Sequence, residues 1–460
     1  MFNLTYWYRR RAGGREMIRL AGPIVISSAS LALMNFADRL YLTWYDQSSM
    51  SAAFQAGCLL WTLLNFPVGI ACFTNTFVSQ YNGARQYKRI GTVVWQGVFF
   101  GLLAGLIFVA LTPLVAPFFR MIAGDSQLIK LEEQYWFYLS IGAGVNIAHE
   151  PLTAYFSGRR DTKTVMWVGV SAIIVNAVLD PILIFGINGH MRWGVVGAAI
   201  ASTIALFFKF FVYLALALHR DKTWQCGLRD RIRLDIAEMT RLVKLGAMSA
   251  LQFTFDAGVF ELFILLMAWF GEDASGAAAI AFNLDFLAFM PIVGIGVATS
   301  TSVGNYVGAK RFRLAQRSVF TALTLTVACL GFFAVAYILA PNFFLDFYAL
   351  NDPEKFMSIR PLAVNALRFI SLYLVADGVN VVMASALRGA GDARFIMIGT
   401  LSIALPMLGA LFLGVFRFGY GLSFCWTMLF AYVMLLASTF LVRFCIGSWR
   451  SQRLVQEERD

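Results

Sequence analysis

Four polar side chains stand in stretches where their surroundings make them costly. Asn176 and Asp180 are four residues apart in one apolar run, and Asn35 and Asp38 are three apart in another. Either spacing stacks two side chains on one face of a helix. Two carboxylates and two amides supply the oxygen ligands that suit a hard cation such as Na+. They suit a proton equally, because a carboxyl withdrawn from water keeps its proton more firmly. Asp38, Asn176 and Asp180 are therefore expected to hold the cation or proton, with Asn35 beside them. Arg39 is the local partner for Asp38, although neighbouring helical residues diverge by about 100°.

The second half of the chain carries another set. Asp256 sits deep in an apolar run, and Asp377 and Asn380 share a face three residues apart. Asn283 and Asp285 are two apart, so they point different ways. Asp256, Asp377, Asn283 and Asp285 form a second candidate site, for cation or substrate, with Asn380 auxiliary. Glu261 follows Asp256 by five residues, turns away from it and is placed nearer water. Arg368 is available to neutralise one of these acids. His149-Glu150-Pro151 is a third feature: Pro151 removes a backbone donor and kinks its helix. Glu150 either satisfies or exploits that opening, and His149 is the residue type that titrates near neutral pH. For every one of these acids, local capping or pairing is the competing explanation.

No catalytic or structural-metal constellation accompanies them. The six Cys are scattered without a CxxC, and the three His are too far apart for a conventional metal site. The chain is expected to be no enzyme and to need no cofactor beyond a coupling ion, Na+ or H+.

The elements that position these groups follow from composition. The chain has 460 residues, 59% hydrophobic and 14% charged, with a formal net charge of +11. A soluble domain averages about a quarter charged residues, so a soluble enzyme and a disordered chain are both excluded. A membrane-crossing helix needs about 20 apolar residues. Twelve such spans are predicted at 18–44, 53–79, 91–119, 135–157, 164–188, 193–218, 244–270, 275–303, 315–340, 361–387, 394–416 and 420–446. The segments are continuously apolar, unlike the alternating strands of a membrane barrel. The first span follows Arg9, Arg10, Arg11 and Arg15 and is too long for a signal-peptide core, so it is read as an uncleaved helix.

Lys and Arg fall on alternate sides in a ratio of 28 to 6, with Arg39, Lys209 and Arg368 left inside spans. The basic side is cytoplasmic, which places both termini in the cytoplasm of a multi-pass plasma (inner) membrane protein. The same one-sided distribution removes the nucleic-acid partner that +11 would otherwise invite.

The chain also repeats itself. Val78-Ser-Gln80-Tyr81-Asn82-Gly83-Ala84-Arg85 matches Val303-Gly-Asn305-Tyr306-Val307-Gly308-Ala309-Lys310, an offset of 225 residues. Phe156-Ser-Gly158-Arg159-Arg160-Asp161 pairs with Leu387-Arg388-Gly389-Ala390-Gly391-Asp392, and Phe66-Pro67 with Met290-Pro291. The fold expected is an all-α integral membrane protein, with twelve transmembrane helices in two six-helix lobes related by an internal repeat. The lobes are drawn at 1–218 and 244–446, with a charged linker at 219–243 and a tail at 447–460. Parallel repeats of this kind are a transporter architecture, with the substrate path between the halves.

Several of these stretches resemble the multidrug and toxic compound extrusion (MATE) family. Asn176 to Gly186, followed by Gly194 to Thr203, resembles its span 5–6 signature. Val78 to Arg85, Asn35 to Asp38 and Leu387 to Asp392 resemble its motifs after span 2, in span 1 and after span 10. The similarity runs from about residue 17 to 446. It implies two six-helix lobes around a V-shaped cavity and export of cationic or amphipathic organic compounds driven by Na+ or H+ entry. The family's first-lobe cation site then corresponds to Asp38, Asn176 and Asp180, and the acids of its NorM-type branch to Asp256 and Asp377. Arg39, His149-Glu150 and Ala278-Ala279 depart from the family pattern.

Together these readings predict a secondary active multidrug exporter working by alternating access in the lipid bilayer, for which a monomer suffices. The alternatives are a lipid-linked oligosaccharide flippase of the wider superfamily, which would show a more cationic cavity, and an integral membrane enzyme, for which no nucleophile–base pair is present.

Overall fold

An apolar run in hydrocarbon must satisfy every backbone donor and acceptor within itself, and a helix does this with local bonds alone. The structure is a computed structural model describing residues 4–122, 126–186, 192–349 and 353–455, and among those residues there is no strand. A short α1 (Leu4–Arg9) precedes α2 (Gly14–Tyr45). Next, α3 (Gln47–Cys72) and α4 (Thr74–Gly83) form one span interrupted at Phe73. The first half continues with α5 (Tyr87–Ile122), α6 (Ser126–Ser157), α7 (Thr162–Phe185) and α8 (Val195–Trp224). The second half runs through α9 (Ile236–Met267), α10 (Glu272–Gly308), α11 (Phe312–Leu339), the short α12 (Pro341–Ala349), α13 (Pro353–Ala390), α14 (Ala393–Phe412) and α15 (Leu422–Ile446). Five π-helical residues, Leu413–Arg417, extend α14.

Ten spans among the described residues have the length and hydropathy of a membrane crossing. The other two predicted spans fall on α2 and α6, each 32 residues long, or about 48 Å at 1.5 Å per residue. Lys130, Glu132, Glu133, His149 and Glu150 dilute the hydropathy of α6. In α2, which carries Asp38 and Arg39, the side chains of 30–33, 35 and 36 lie outside the description. The architecture is the twelve-span, all-α fold.

Two compact units divide the chain, one of residues Ile26–Ala250 and one of Met1–Val25 with Leu251–Asp460. The two cuts fall inside α2 and α9, at positions separated by the same 225 residues as the sequence repeat.

In the 26–250 unit, α5 and α6 pack with backbones in contact. A Cβ added at Gly105 would lie 2.1 Å from Gly144 Cα, so glycine alone permits this approach. Trp136, Ala143 and Ile147 of α6 meet Ala56 and Leu60 of α3 and Phe108 of α5 in an apolar core. Asp46 caps α3, accepting from Ser49 N at 3.0 Å, and Asp161 caps α7, accepting from Thr164 N at 3.4 Å. The expected linker 219–243 is helical at both ends, and only 225–235 is non-helical between α8 and α9. That segment is fastened down. The Asp221 carboxylate accepts from Cys226 N (2.8 Å) and Arg229 N (3.0 Å), and Trp95 Nε1 donates to Leu228 O at 2.7 Å. Gln96 donates to Arg233 O and accepts from Asp235 N, both at 3.0 Å.

The other unit has its own core, where Trp426 stacks on Phe282 and Phe369 and meets Phe263 edge-on at 4.9 Å. One end of it is tied by Arg443 Nε donating to Asp392 Oδ2 at 2.9 Å and Arg453 donating to Gly308 O at 3.1 Å. Residues 1–25 belong here: Tyr306 OH donates to Glu16 Oε1 at 2.8 Å, and Thr321 Oγ1 to Ala12 O at 2.9 Å.

The repeat recurs in the backbone. After α4, Gln86 N donates to Tyr81 O at 2.9 Å and Arg85 adopts φ 62°; after α10, Arg311 N donates to Tyr306 O at 2.8 Å and Lys310 adopts φ 57°. After α6 and α13, Asp161 N donates to Phe156 O and Asp392 N to Leu387 O, both at 2.9 Å. The positive-φ residue there is Arg160 in one copy and Gly391 in the other. These are the helix-terminating bonds of a left-handed C-cap.

Candidate ion-binding site

The four-residue spacing of α7 keeps Asn176 and Asp180 together: Asn176 Nδ2 donates to Asp180 Oδ1 at 3.3 Å, and both are fully buried. The same amide lies 3.4 Å from Ser202 Oγ on α8. Asp38 of α2 comes within electrostatic reach of Asp180. Asp38 Oδ1, Asn176 Oδ1 and Asp180 Oδ2 remain buried without a hydrogen-bond partner. Buried oxygens are ordinarily satisfied. Three unsatisfied ones on three converging side chains are the donor set of a small hard cation, or acceptors for one more proton. Tyr135 of α6 stands within electrostatic reach of both carboxyls.

Arg39 is exposed, its guanidinium 5.3 Å from the centre of the Phe54 ring, and stands within electrostatic reach of Asp38. Asn35 lies outside the residues whose side chains are described.

In the other unit, Asp377 comes within electrostatic reach of both Asp285 and Asp256. Tyr432 OH donates to Asp256 Oδ1 at 2.8 Å. Asn380 Nδ2 sits 3.5 Å from Asp377 Oδ1, and Asp285 Oδ1 is buried without a partner. Asn283 is exposed and donates to Ala279 O of its own helix at 2.9 Å. Glu261 is exposed, as its five-residue offset from Asp256 implied, and so is Arg368. The cation near Asp256 is instead Arg388, which donates to Gln252 Oε1 at 2.8 Å and covers the Phe253 ring at 4.1 Å.

His149 and Glu150 belong to a third group, in the 26–250 unit. Lys209 Nζ is 2.9 Å from His149 Nε2, and His149 Nδ1 is 3.4 Å from Glu150 Oε1. Cys72 Sγ donates to Glu150 Oε2 at 3.4 Å.

The sequence reading passed over Ser202, Tyr135, Tyr432 and Lys209 as site members. Lys209 had a signal, since an ionisable residue inside a span is a functional candidate in its own right. Serine and tyrosine in apolar helices carry no such mark.

Comparison with known proteins gives these groups their context. The MatE family model matches residues 23–182 and 249–412, one match in each half. The multidrug resistance protein NorM of Burkholderia vietnamiensis is 28% identical over 418 residues, covering 89% of this chain and 87% of that one. A probable multidrug resistance protein NorM of Thermotoga maritima is 26% identical over 451 residues, covering 97% and 95%. Among solved structures, an outward-facing multidrug resistance MATE family transporter superposes with a TM-score of 0.84 at 20% identity, covering 98% of this chain and 99% of that one. The eukaryotic MATE transporter AtDTX14 gives 0.80 at 18% identity, covering 95% and 97%. The match of sequence and fold along nearly the whole chain leaves one assignment: this protein belongs to the MatE family of membrane transporters.

Proposed function

We propose that the protein is a secondary active multidrug exporter that antiports cationic or amphipathic organic compounds against Na+ or H+ by alternating access. The observation that carries this reading is the convergence of Asp38, Asn176 and Asp180, each with a buried oxygen that has no hydrogen-bond partner. Such a group binds a small cation or a proton and little else. The NorM names of the relatives supply the class of cargo. Occupation of this group favours one orientation of the transporter, and cargo the other, so exchange is reciprocal linkage between two ligands. The acids Asp256, Asp285 and Asp377 are assigned to a second cation or substrate site. The two compact units, 26–250 and 1–25 with 251–460, act as the moving halves of a monomer in the plasma membrane, with both termini cytoplasmic.

The test is transport of cationic dyes by the purified protein in proteoliposomes, under Na+ and H+ gradients imposed separately. One gradient is expected to drive dye movement, and Asp38→Asn or Asp180→Asn to abolish it while leaving the protein folded. Losing a coupling free energy of about 1–3 kcal/mol corresponds to roughly a 5–150-fold loss of driven accumulation. Undiminished driven efflux in both variants would sink the assignment.

A further inference from the structure

The Lys209–His149–Glu150 group is built differently from the carboxyl pair, as a run of three side chains with His149 in the middle. The Glu150 side chain is 26% exposed, whereas that of His149 is 3% exposed. Lys209 of α8 meets His149 Nε2 and is itself half-buried. An ammonium has donors and no acceptor, so Lys209 donates to His149 Nε2. That contact fixes the imidazole proton on Nδ1, which lies 3.4 Å from Glu150 Oε1 without a hydrogen bond, so the two must close to hydrogen-bond geometry before a proton passes between them. The other titratable groups facing the cluster are Cys72 from α3, already donating to Glu150, and Tyr213 from α8. The Tyr213 hydroxyl donates to Val165 O at 3.2 Å, so its proton is committed elsewhere.

We propose that Glu150, His149 and Lys209 form a proton-loading relay, a second proton site in the 26–250 unit besides the Asp38–Asn176–Asp180 group. The loaded state has a Lys209 ammonium, a neutral His149 and a Glu150 carboxylate, with no net charge. On unloading, the Lys209 Nζ–H bond breaks as His149 Nε2–H forms. His149 Nδ1–H breaks as Glu150 Oε1–H forms, and the carboxyl then gives its proton to water. The unloaded cluster carries one negative charge, which an organic cation offsets. Proton and cargo then exchange without a net change of charge. Only the identity of the cargo rests on the exporter reading; the proton exchange is a property of these three residues.

The test uses the full chain in detergent with ¹⁵N-labelled histidine, where His149→Gln identifies the His149 resonances among the three histidines. The expected result is His149 with its proton on Nδ1, a tautomer lost in Lys209→Met. A wild-type His149 protonated on Nε2, or a Lys209→Met spectrum unchanged from wild type, overturns the relay. This readout needs no substrate, so it stands even if the exporter reading fails. The second readout is proton release on adding tetraphenylphosphonium under weak buffering. Lys209→Met should release one proton fewer per bound cation, about half the wild-type release where the carboxyl pair supplies the other. Where Lys209→Met does not fold, Lys209→Gln keeps a donor to His149 without the charge. It should retain the tautomer and lose the proton, and unchanged release in that variant overturns the proposal.

Discussion

A buried carboxylate is stabilised or destabilised by its immediate donors, and Asp256 has one in Tyr432 at 2.8 Å. A hydrogen bond to a charged group is worth about 1.5–3 kcal/mol, against roughly 1 for a neutral pair. Tyr432→Phe is therefore expected to lower stability by about 1.5–3 kcal/mol if Asp256 is ionised. In an Asp256→Asn background the same change should cost much less. A double-mutant cycle by reversible unfolding in detergent measures this coupling, and a coupling near zero would show that the bond carries no stabilisation. The acids were legible in the sequence for a simple reason: an ionisable residue in an apolar run stands out, so Asp38, Asp180, Asp256 and Asp377 could be named at once. Their neutral partners could not. Tyr432 and Ser202 look like any other residue of a span until the helices are packed, because their role depends on which residue of a neighbouring helix faces them. Asn283 shows the converse limit, being polar and in the right span yet exposed.

At the scale of elements, the number and order of spans followed from hydropathy because the bilayer sets one length for all of them. What hydropathy does not set is how closely two spans approach. Gly101 and Gly105 of α5 lie against Ala148 and Gly144 of α6, with would-be Cβ contacts of 2.5 and 2.1 Å. Small residues permit this closeness, and van der Waals packing is what joins helices in lipid. Gly105→Leu is expected to force α5 from α6 and destabilise the protein by about 1–3 kcal/mol or more. Gly331→Leu on α11 is the control, since a Cβ there meets nothing within 4 Å. Equal melting temperatures for the two variants would refute the close-packed helix pair. Because α6 also carries His149 and Glu150, while α8 carries Lys209, a displaced α6 should weaken the relay as well. The break at Phe73 and the π-helical end of α14 had no sequence mark, since both are set by local backbone packing rather than by composition.

At the scale of the molecule, the repeat was readable as matched loops but not as matched units. The sequence places the division in the charged linker, where composition changes. The compact units instead part within α2 and α9, so that residues 1–25 pack with 251–460. The reason is visible in contacts no composition shift could signal: Glu16 receives Tyr306, Ala12 O receives Thr321, and a Cβ at Gly294 would lie 2.4 Å from Val25. A fragment 244–460 expressed alone lacks the segment that covers these positions. It leaves Tyr306 and Thr321, both buried in the whole protein, without those acceptors. Unsatisfied buried groups cost about 1–3 kcal/mol each, which is a large share of the net stability of a typical protein. The fragment is therefore expected to melt lower than the intact chain and to be cleared in cells. Co-expression with 1–243 should restore it, because that piece returns residues 1–25. A 244–460 fragment as stable alone as in the presence of its partner would mean that the N-terminal segment adds nothing to that unit.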